Sequence, residues 1–164
     1  MRKADIISTR VCTLPEALHK LGQWRVTGKS VAFTNGVFDI LHRGHIFSLS
    51  QAAAEADFLV VGLNSDASTK RLKGDSRPVN DEQSRALVLA ALLMVDMVVI
   101  FEEDTPLNLI TTLQPDVLVK GGDYTLDQIV GAKEVMAAGG KVIINPIVEG
   151  FSTTGIIKVI SDKL

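Results

Sequence analysis

The feature of this sequence that most constrains its fold is an alternation of short apolar runs with longer amphipathic stretches. The apolar runs are rich in valine and isoleucine and lack a period of two, which is typical of strands buried on both faces. They cover residues 31–34, 58–63, 97–101, 117–119 and 141–147. Because stretches of helical length separate them, the pattern predicts an α/β fold, a doubly wound sheet of five parallel strands with helices on both faces.

Helix signals fit the same arrangement. The predicted helices cover residues 44–56, 65–73, 81–95, 106–113, 127–138 and 153–163, and a leading helix begins near Thr13 and ends near Trp24. A chain of 164 residues is the size of one domain with its own core. We therefore expect a single domain over residues 1–164, with a leading helical segment at 1–26 and the sheet-containing core at 27–164.

Composition limits the partners of this chain. A net charge of -2 and an aromatic content of 5% give neither a positive field for DNA or RNA nor enough rings for base stacking. The longest apolar run, residues 86–95, is about half the roughly 20 residues that a membrane helix needs. Cys12 is the single cysteine, and the first residues lack the apolar stretch of a signal peptide. We expect no nucleic acid or membrane partner and a cytoplasmic location.

The loop after the first predicted strand carries the sharpest chemical signal. It reads TNGVFDILHRGH from residue 34 to residue 45. His42 and His45 lie at the start of a predicted helix, where free N–H groups and the helix dipole favour an anion. Gly36 and Gly44 let the backbone approach a ligand closely. The loop therefore predicts a phosphate site at the carboxyl end of the strand, where sheets of this kind bind their ligands.

Two plainer interpretations compete with a phosphate site. The two histidines could belong to a zinc site, for which the chain offers only His19 and Cys12 as further ligands, both distant in sequence. They could also be unrelated surface or core histidines. The complete string G-x-F-D-x-x-H-x-G-H after a buried strand favours the phosphate site over both.

This string resembles the H-x-G-H signature of the cytidylyltransferase-like nucleotidyltransferase superfamily. Further segments resemble one branch of it, the nucleotidyltransferase half of ADP-heptose synthase. They are TNG at 34–36, NSDAS at 64–68, RLKG at 71–74, RP at 77–78, KGGDY at 120–124 and GFSTT at 150–154. The segment KGGDY is the most specific to the branch. The resemblance covers the chain from about residue 10 and agrees with a Rossmann-like sheet.

The resemblance implies nucleotidyl transfer. In this branch the phosphate of a glycero-manno-heptose 1-phosphate attacks the α-phosphate of a nucleoside triphosphate, usually ATP, and pyrophosphate leaves. The expected partners are the nucleoside triphosphate and the sugar 1-phosphate, with Mg²⁺ as a cofactor bound mainly through the triphosphate. The oligomeric state stays open, with a homodimer as one alternative. Because ADP-heptose synthases are often fused to a sugar kinase, a separate heptose kinase and phosphatase are further expected partners in the pathway.

The resemblance also distributes roles among the residues that match its motifs. The expected catalytic residues are His42, His45 and Lys73. The expected nucleotide contacts are Asn35, Gly36, Phe38, Asp39, Gly44, Lys120, Gly122, Ser152, Thr153 and Thr154. The expected substrate contacts are Asn64, Asp66, Arg77 and Asp123. No protein ligand of a metal is predicted, and two roles stay open for Asp39, which are to orient a histidine or to approach the metal.

Two of these segments also have plainer explanations. Residues 70–77 hold four positive charges and one negative charge, which suits a phosphate clamp but is also typical of a solvated helix end. Lys73 is preferred within this cluster because it matches the lysine of the RLKG segment. The glycine pair at 121–122 is also typical of a simple turn after a strand.

One departure from related families bears on the nucleotide. Choline- and glycerol-phosphate cytidylyltransferases carry an arginine-threonine-glutamate-glycine segment, whereas residues 147–150 read IVEG, without the arginine. We therefore expect ATP rather than CTP as the donor. Two alternatives stay open: a cytidylyltransferase acting on an alcohol phosphate such as glycerol 3-phosphate, and a non-catalytic nucleotide-binding or flavodoxin-like domain.

Overall fold

The centre of the protein is a parallel β-sheet. The computed structural model describes residues 4–146, 148 and 150–163. In this part of the chain six strands form one sheet in the order β1-β4-β3-β2-β5-β6. The strands are β1 (Val11–Cys12), β2 (Val31–Gly36), β3 (Phe58–Asn64), β4 (Met97–Phe101), β5 (Val117–Gly121) and β6 (Lys141–Asn145). The predicted parallel α/β sheet is confirmed, except that it has six strands rather than five.

The additional strand, β1, lies inside the predicted leading segment. Its two residues pair in parallel with Val98 and Val99 of β4 at the edge of the sheet. So short a strand shows no hydrophobic periodicity, which needs a run of about four residues or more. At the other edge β6 ends at Asn145, and the predicted end of this strand at Ile147 lies outside the described residues.

Helices connect the strands. They are α1 (Leu14–Val26), α2 (Arg43–Ala53), α3 (Asp66–Lys73), α4 (Glu82–Ala90), α5 (Leu107–Leu113), α6 (Ala132–Ala137) and α7 (Thr153–Ser161). Short 3₁₀ turns cover Ala4–Ile6, Ser8–Arg10 and Leu126–Gln128. The helix predicted over 127–138 is divided, because Gly131 has a φ of +87°, a left-handed conformation that interrupts a helix before α6.

The leading helix begins where the sequence predicts it. Thr13 and Glu16 form a reciprocal capping box, and the backbone N–H of Thr13 donates to the Glu16 carboxylate over 2.8 Å. Ala17 and Leu21 bury the inner face of α1 against the sheet. The organisation of the chain as one domain with a leading segment stays a prediction.

Two apolar layers cover the faces of the sheet. On one face Phe33 and Val60 pack with α1, α5 and α6. On the other face Ala32 and Val61 pack with α2 and α4. Neighbouring residues of one strand thus enter opposite layers, as the alternation of side chains along a strand requires. Burial on both sides explains why the strands read as continuous apolar runs.

The strand order reverses direction between β2 and β5. From β2 the chain proceeds through α2 to β3 and then to β4, and it returns through α5 to place β5 on the opposite side of β2. Such a switch point leaves a crevice above the carboxyl ends of the two central strands, where ligands of open α/β sheets bind. None of the helices in the described part of the chain is long and apolar enough to cross a membrane.

Candidate active site

Polar side chains gather at the carboxyl ends of β2 and β5, where these strands diverge. Asn35 lies near the end of β2 and Lys120 near the end of β5, and Nζ of Lys120 donates to Oδ1 of Asn35 over 3.2 Å. Burial lowers the pKa of the Lys120 ammonium below its usual value. An anion beside this group would favour its charged form, so the switch point presents a cation suited to a phosphate.

The loop from Gly36 to His42 folds back over the end of β2. Phe38 adopts a φ of +45°, which is uncommon for a residue with a side chain, and its ring lies edge-on to His45 with centroids 5.2 Å apart. A Cβ on Gly36 would lie 2.9 Å from the Phe38 ring. A Cβ on Gly44 would lie 3.1 Å from the His42 ring. Both glycines therefore make room for side chains of the loop, and their approach to a phosphate stays a prediction.

His42 and His45 stack on each other, with ring centroids 3.8 Å apart and an angle of 19° between the planes. The Nδ1 atoms of both rings are buried and have no hydrogen-bond partner among the residues that the structure describes. Burial lowers the pKa of His42. Burial, the neighbouring His42 and the charge of Lys73 lower the pKa of His45 to about 4. Both rings are thus neutral near pH 7 and can donate N–H hydrogen bonds without carrying charge.

The other ligands of the zinc alternative lie elsewhere. Cys12 belongs to β1, which β4 and β3 separate from β2, and His19 lies on α1 on the other face of the sheet from α2. The structure therefore does not bring His19 and Cys12 together with the histidines of the first loop.

The start of α7 adds polar groups to the site. Oγ of Ser152 caps this helix by accepting from the N–H of Gly155 over 3.0 Å. Oγ1 of Thr153 donates to the carbonyl of Ile40 over 3.4 Å, so α7 is attached to the first loop. Thr154 lies beside them in the lining of the same cavity. The N-termini of α2 and α7 thus face one space, which favours an anionic ligand.

Two cavities open beside the lysines. The histidine cavity, of about 390 Å³, contains both histidines and the start of α7. The α5-side cavity, of about 440 Å³, contains Asn64 and the loop between β4 and α5. The residues that line both are Asn35, Gly36, Val37, Lys73, Lys120 and Tyr124. The two cavities therefore share one wall, and Lys73 and Lys120 are its cations. A more open depression of about 610 Å³ beside β1 and α1 contains none of the predicted site residues.

The structure divides the basic cluster of residues 70–77. Arg71 pairs at the surface with Asp104, with Nε 2.6 Å from Oδ1. Arg77 pairs with buried Asp39, with Nε 2.5 Å from Oδ2. Lys73 is the cation of this cluster that lines the two cavities. The preference for Lys73 on sequence grounds thus agrees with its position, whereas the two arginines are engaged by carboxylates.

Asp39, in the first loop, and its partner Arg77 line neither cavity. The Asp39 carboxylate also accepts from the backbone N–H groups of Val79 and Asn80 over 2.8 and 3.0 Å. Burial alone would raise its pKa, but the bonds from Asn80, Arg77 and Val79 hold the pKa below its usual value. Asp39 therefore holds the 77–80 segment in place. Arg77 contacts Asp39 through Nε, and the ligand roles expected of both residues stay predictions.

Arg85 is a residue of the site that motif analysis does not identify. It is 2% exposed and projects from α4 beneath the first loop. Its Nη1 donates to the carbonyls of Val37 and Asn64 over 2.7 and 2.9 Å. Its Nη2 donates to Oδ1 of Asp66 over 2.7 Å, and its Nε donates to the carbonyl of Asn80 over 2.9 Å. The sequence signal that could have identified Arg85 is its position directly before the apolar run 86–95. An arginine buried beside such a run requires hydrogen-bond partners.

The remaining predicted contacts fall into two groups. Asn64 lies in the wall of the α5-side cavity, whereas Asp66 is held by the arginine of α4. Gly122 and Asp123 are outside the linings of both cavities. Gly122 has a φ of +128°, and a Cβ there would lie 2.8 Å from the ring of Tyr124. The turn after β5 therefore places Tyr124 over the shared wall, and direct ligand contacts of Gly122 and Asp123 stay predictions.

The side chains of the site suit a metal ion that enters bound to a phosphorylated ligand. Within the described residues, no group of three or more His, Cys, Asp or Glu side chains is placed to hold a metal ion. Among the residues that the structure describes, no carboxylate lines the histidine cavity, and the Asp39 carboxylate is bonded to Arg77. The cavity instead offers ammonium, imidazole and hydroxyl groups, which bind phosphate oxygens.

A comparison with known protein families shows to which family this chain belongs. The model of the family described as cytidylyltransferase-like matches residues 33–159. The match contains the first loop, both lysines and the start of α7. This chain belongs to the cytidylyltransferase-like family. The resemblance carried by the H-x-G-H string is therefore confirmed.

Similar curated proteins indicate the branch of the family to which this chain is related. The bifunctional protein HldE of Nitrobacter hamburgensis is 60% identical over 139 residues, which are 85% of this chain and 28% of that protein. The bifunctional protein HldE of Rhodospirillum rubrum is 56% identical over 149 residues, which are 91% of this chain and 30% of that protein. The chain spans less than a third of the length of these curated relatives. The predicted branch of the family is thus confirmed.

Solved structures support the fold. The lipopolysaccharide core biosynthesis protein of Thermoplasma volcanium is 31% identical with a TM-score of 0.59, over 74% of this chain and 98% of that one. Pantoate-beta-alanine ligase of Francisella tularensis is 16% identical with a TM-score of 0.61, over 93% of this chain and 76% of that one. The second likeness concerns the fold alone.

Replacing Arg85 tests its place beneath the first loop. We expect Arg85→Met to lower the free energy of unfolding by about 3–5 kcal/mol, because it leaves a carboxylate and buried carbonyls without their donor. Arg71→Met removes a matched arginine from an exposed ion pair and is expected to cost less than about 1 kcal/mol. Urea unfolding of both variants measures the difference. Similar small losses would show that Arg85 does not hold these segments together.

Acid should destabilise the protein through its histidines. Unfolded histidine takes up a proton near pH 6.5, whereas folded His45 does so only near pH 4, so the unfolded chain binds more protons between these values. The free energy of unfolding therefore falls as pH decreases through this window and is fully retained above it. His42 acts in the same direction.

Urea unfolding at about pH 4.5 and 7.5 measures this effect. His45→Asn is expected to reduce the difference between the two pH values, because asparagine does not titrate. The same change at exposed His19 is the matched control and is expected to keep the difference of the unmodified protein. An unchanged pH dependence in His45→Asn would refute the assignment of a buried neutral His45.

Proposed function

We propose that this chain transfers an adenylyl group from ATP to D-glycero-D-manno-heptose 1-phosphate, forming ADP-heptose and pyrophosphate. Its curated relatives bear the name bifunctional protein HldE. Residues 64–68, 120–124 and 150–154 resemble the nucleotidyltransferase half of ADP-heptose synthase. The observation that carries the proposal is the wall shared by the two cavities. Such a wall suits a reaction in which two anionic substrates have to meet at one point.

The proposed reaction forms one P–O bond and breaks another. A phosphate oxygen of the sugar 1-phosphate attacks the α-phosphorus of ATP. The bond from that phosphorus to the oxygen bridging the β-phosphate breaks, and pyrophosphate leaves with this electron pair. Because the attacking group is already an anion, no general base is required. The protein has to position two polyanions and stabilise the charge that develops on pyrophosphate.

The histidines suit the α-phosphate and the leaving group. His42 and His45 are neutral near pH 7, so each ring can donate an N–H hydrogen bond to a phosphate oxygen. Their stacking and the edge-on contact from Phe38 fix the rings before substrate arrives. Donors that need no rearrangement stabilise a developing charge most effectively. Ser152, Thr153 and Thr154 at the start of α7 suit the β- and γ-phosphates.

The lysines suit the point where the substrates meet. Lys73 and Lys120 both line the histidine cavity and the α5-side cavity. A phosphate in either cavity can therefore contact the same two ammonium groups through charge-assisted hydrogen bonds. The two cations offset the repulsion between the incoming phosphate and the triphosphate, which opposes their approach. Asn35, which accepts from Lys120, holds that ammonium at the wall.

The donor set fits Mg²⁺ that enters bound to the triphosphate. The described lining of the histidine cavity supplies cations and hydroxyls and includes no carboxylate, so phosphate oxygens are the main ligands that we propose for the ion. When bound, Mg²⁺ would neutralise part of the charge on the leaving pyrophosphate. The hydroxyl groups of Ser152 and Thr153 line the same cavity and would hold the ion if it needs protein oxygens.

Substrate choice tests the proposal directly. Pyrophosphate release is measured with each of the four nucleoside triphosphates against heptose 1-phosphate and glycerol 3-phosphate. We expect ATP with heptose 1-phosphate to give the highest kcat/KM, because the segment 147–150 lacks the arginine of the CTP-using families. Efficient turnover of CTP with glycerol 3-phosphate, and none with the heptose, would overturn the proposal in favour of an alcohol-phosphate cytidylyltransferase.

Replacing His45 tests its proposed catalytic role. Losing one preorganised donor costs on the order of 10²–10³ in turnover, so His45→Ala should lower kcat by that factor and change the KM for ATP far less. His45→Asn should recover part of the loss, since its amide still donates. His19→Ala is the matched control and should leave kcat unchanged. A variant His45→Ala that melts several degrees lower but keeps its kcat would make the histidine structural.

A further inference from the structure

The wall shared by the two cavities separates two different chemical environments. The histidine cavity contains imidazole, ammonium and hydroxyl groups together with two helix N-termini. The α5-side cavity contains neither histidine nor an N-cap serine, and its outer part carries Asp104, Thr105 and Gln128. A carboxylate repels a triphosphate but accepts hydrogen bonds from a polyol. The two cavities thus suit two different ligands.

We infer that the α5-side cavity binds the sugar 1-phosphate and that Asp104 and Gln128 select it by contacting its hydroxyl groups. This inference rests on the proposed function, since it assigns one cavity to each of the two substrates. None of the motifs that indicate the reaction includes Asp104 or Gln128. They belong to the segments after β4 and β5, which the switch point brings to the α5 side of the wall.

The shape and polarity of the cavity fit a phosphorylated sugar. Its volume of about 440 Å³ lies within the usual range for small-molecule sites. Lys73 and Lys120 at the shared wall fix the phosphate end, so the sugar ring extends away from the histidines toward the outer part. Pro106 and Ile129 are buried apolar residues of the lining and offer a surface for the C–H face of the ring.

Both selecting side chains are held by neighbours. Oδ1 of Asp104 accepts from Nε of Arg71 over 2.6 Å, which fixes the carboxylate while using one of its oxygens. Arg71 also donates to the carbonyl of Glu102, so the arginine itself is fixed. Oε1 of Gln128 accepts from the backbone N–H of Thr125 over 2.9 Å, so its NH₂ group is the part that can donate to a ligand. Preorganised groups of this kind lower the entropic cost of binding.

Gln128→Glu is the most informative variant. Glutamate keeps the oxygen that accepts from Thr125, so the local turn is preserved, but it replaces the NH₂ donor with a negative charge. A charge of the same sign as the sugar phosphate should raise the Kd and the KM for that substrate about tenfold or more, whereas the KM for ATP should change less than about twofold. Gln23→Glu adds the same charge on α1 and is the matched control.

Asp104→Asn probes the second side chain. It keeps the shape and removes the charge-assisted acceptor, so the KM for the sugar 1-phosphate should rise about fivefold to tenfold with little change in kcat. Asp162→Asn, at the end of α7, is the matched control and should leave both constants unchanged. Its melting temperature and that of Asp104→Asn should agree closely, because exposed ion pairs contribute little to stability.

Two readouts separate failure of the inference from failure of the proposed function. Pyrophosphate release by the unmodified protein tests the function, and calorimetric titration with heptose 1-phosphate, in the presence of a non-hydrolysable ATP analogue, tests the cavity without turnover. Weaker titration in Gln128→Glu alone supports the inference. Equal titration in Gln128→Glu and Gln23→Glu, or a raised KM for ATP with an unchanged KM for the sugar, overturns the cavity assignment even if the enzyme is active.

Discussion

The reversal of strand order between β2 and β5 is the constraint on which the candidate site depends. Crossovers between parallel strands are right-handed, so α2 and α4 pack on one face of the sheet while α5 and α6 pack on the other. The connections therefore leave β2 and β5 in opposite directions and open a crevice above them. Asn35 and Lys120 face each other across it. One cavity extends from this point over each face, and the two lysines belong to both.

The polar groups below this crevice are paired with one another. The polar groups within it are of the kinds that bind anions. Arg85 and Asp39 make charge-assisted bonds that hold the first loop, the end of β3 and the 77–80 segment. Above them, the Nδ1 atoms of His42 and His45 are buried without a partner in the described residues, and burial lowers the pKa of Lys120. Burying polar groups without partners lowers the stability of the folded protein. The paired layer keeps the upper one in position.

The sequence predicts most of the strands and the first loop, because their signals consist of residues that are adjacent in the chain. These signals are the apolar runs and the string that ends at His45. β1 is not predicted, because a strand of two residues shows no hydrophobic periodicity. Arg77 and Asp39 contact each other across 38 positions of the chain, which no local signal indicates. Pairings at such a distance follow from the packing of α4 and the 77–80 segment against the first loop. The contacts of Arg85 and Gln128 are likewise not predictable from local sequence. Their positions depend on how helices, strands and loops pack against one another.

A crystal structure with ADP-heptose bound would show whether the two substrates meet at the shared wall, since this product contains parts of both. We expect the adenosine to lie in the histidine cavity and the diphosphate to lie at the shared wall, within hydrogen-bond distance of Lys73 and Lys120. The adenylyl phosphate of this diphosphate should also contact His42 and His45. The heptose then extends into the α5-side cavity toward Gln128. Adenosine and heptose on the same side of the wall, or a diphosphate away from both lysines, would contradict it.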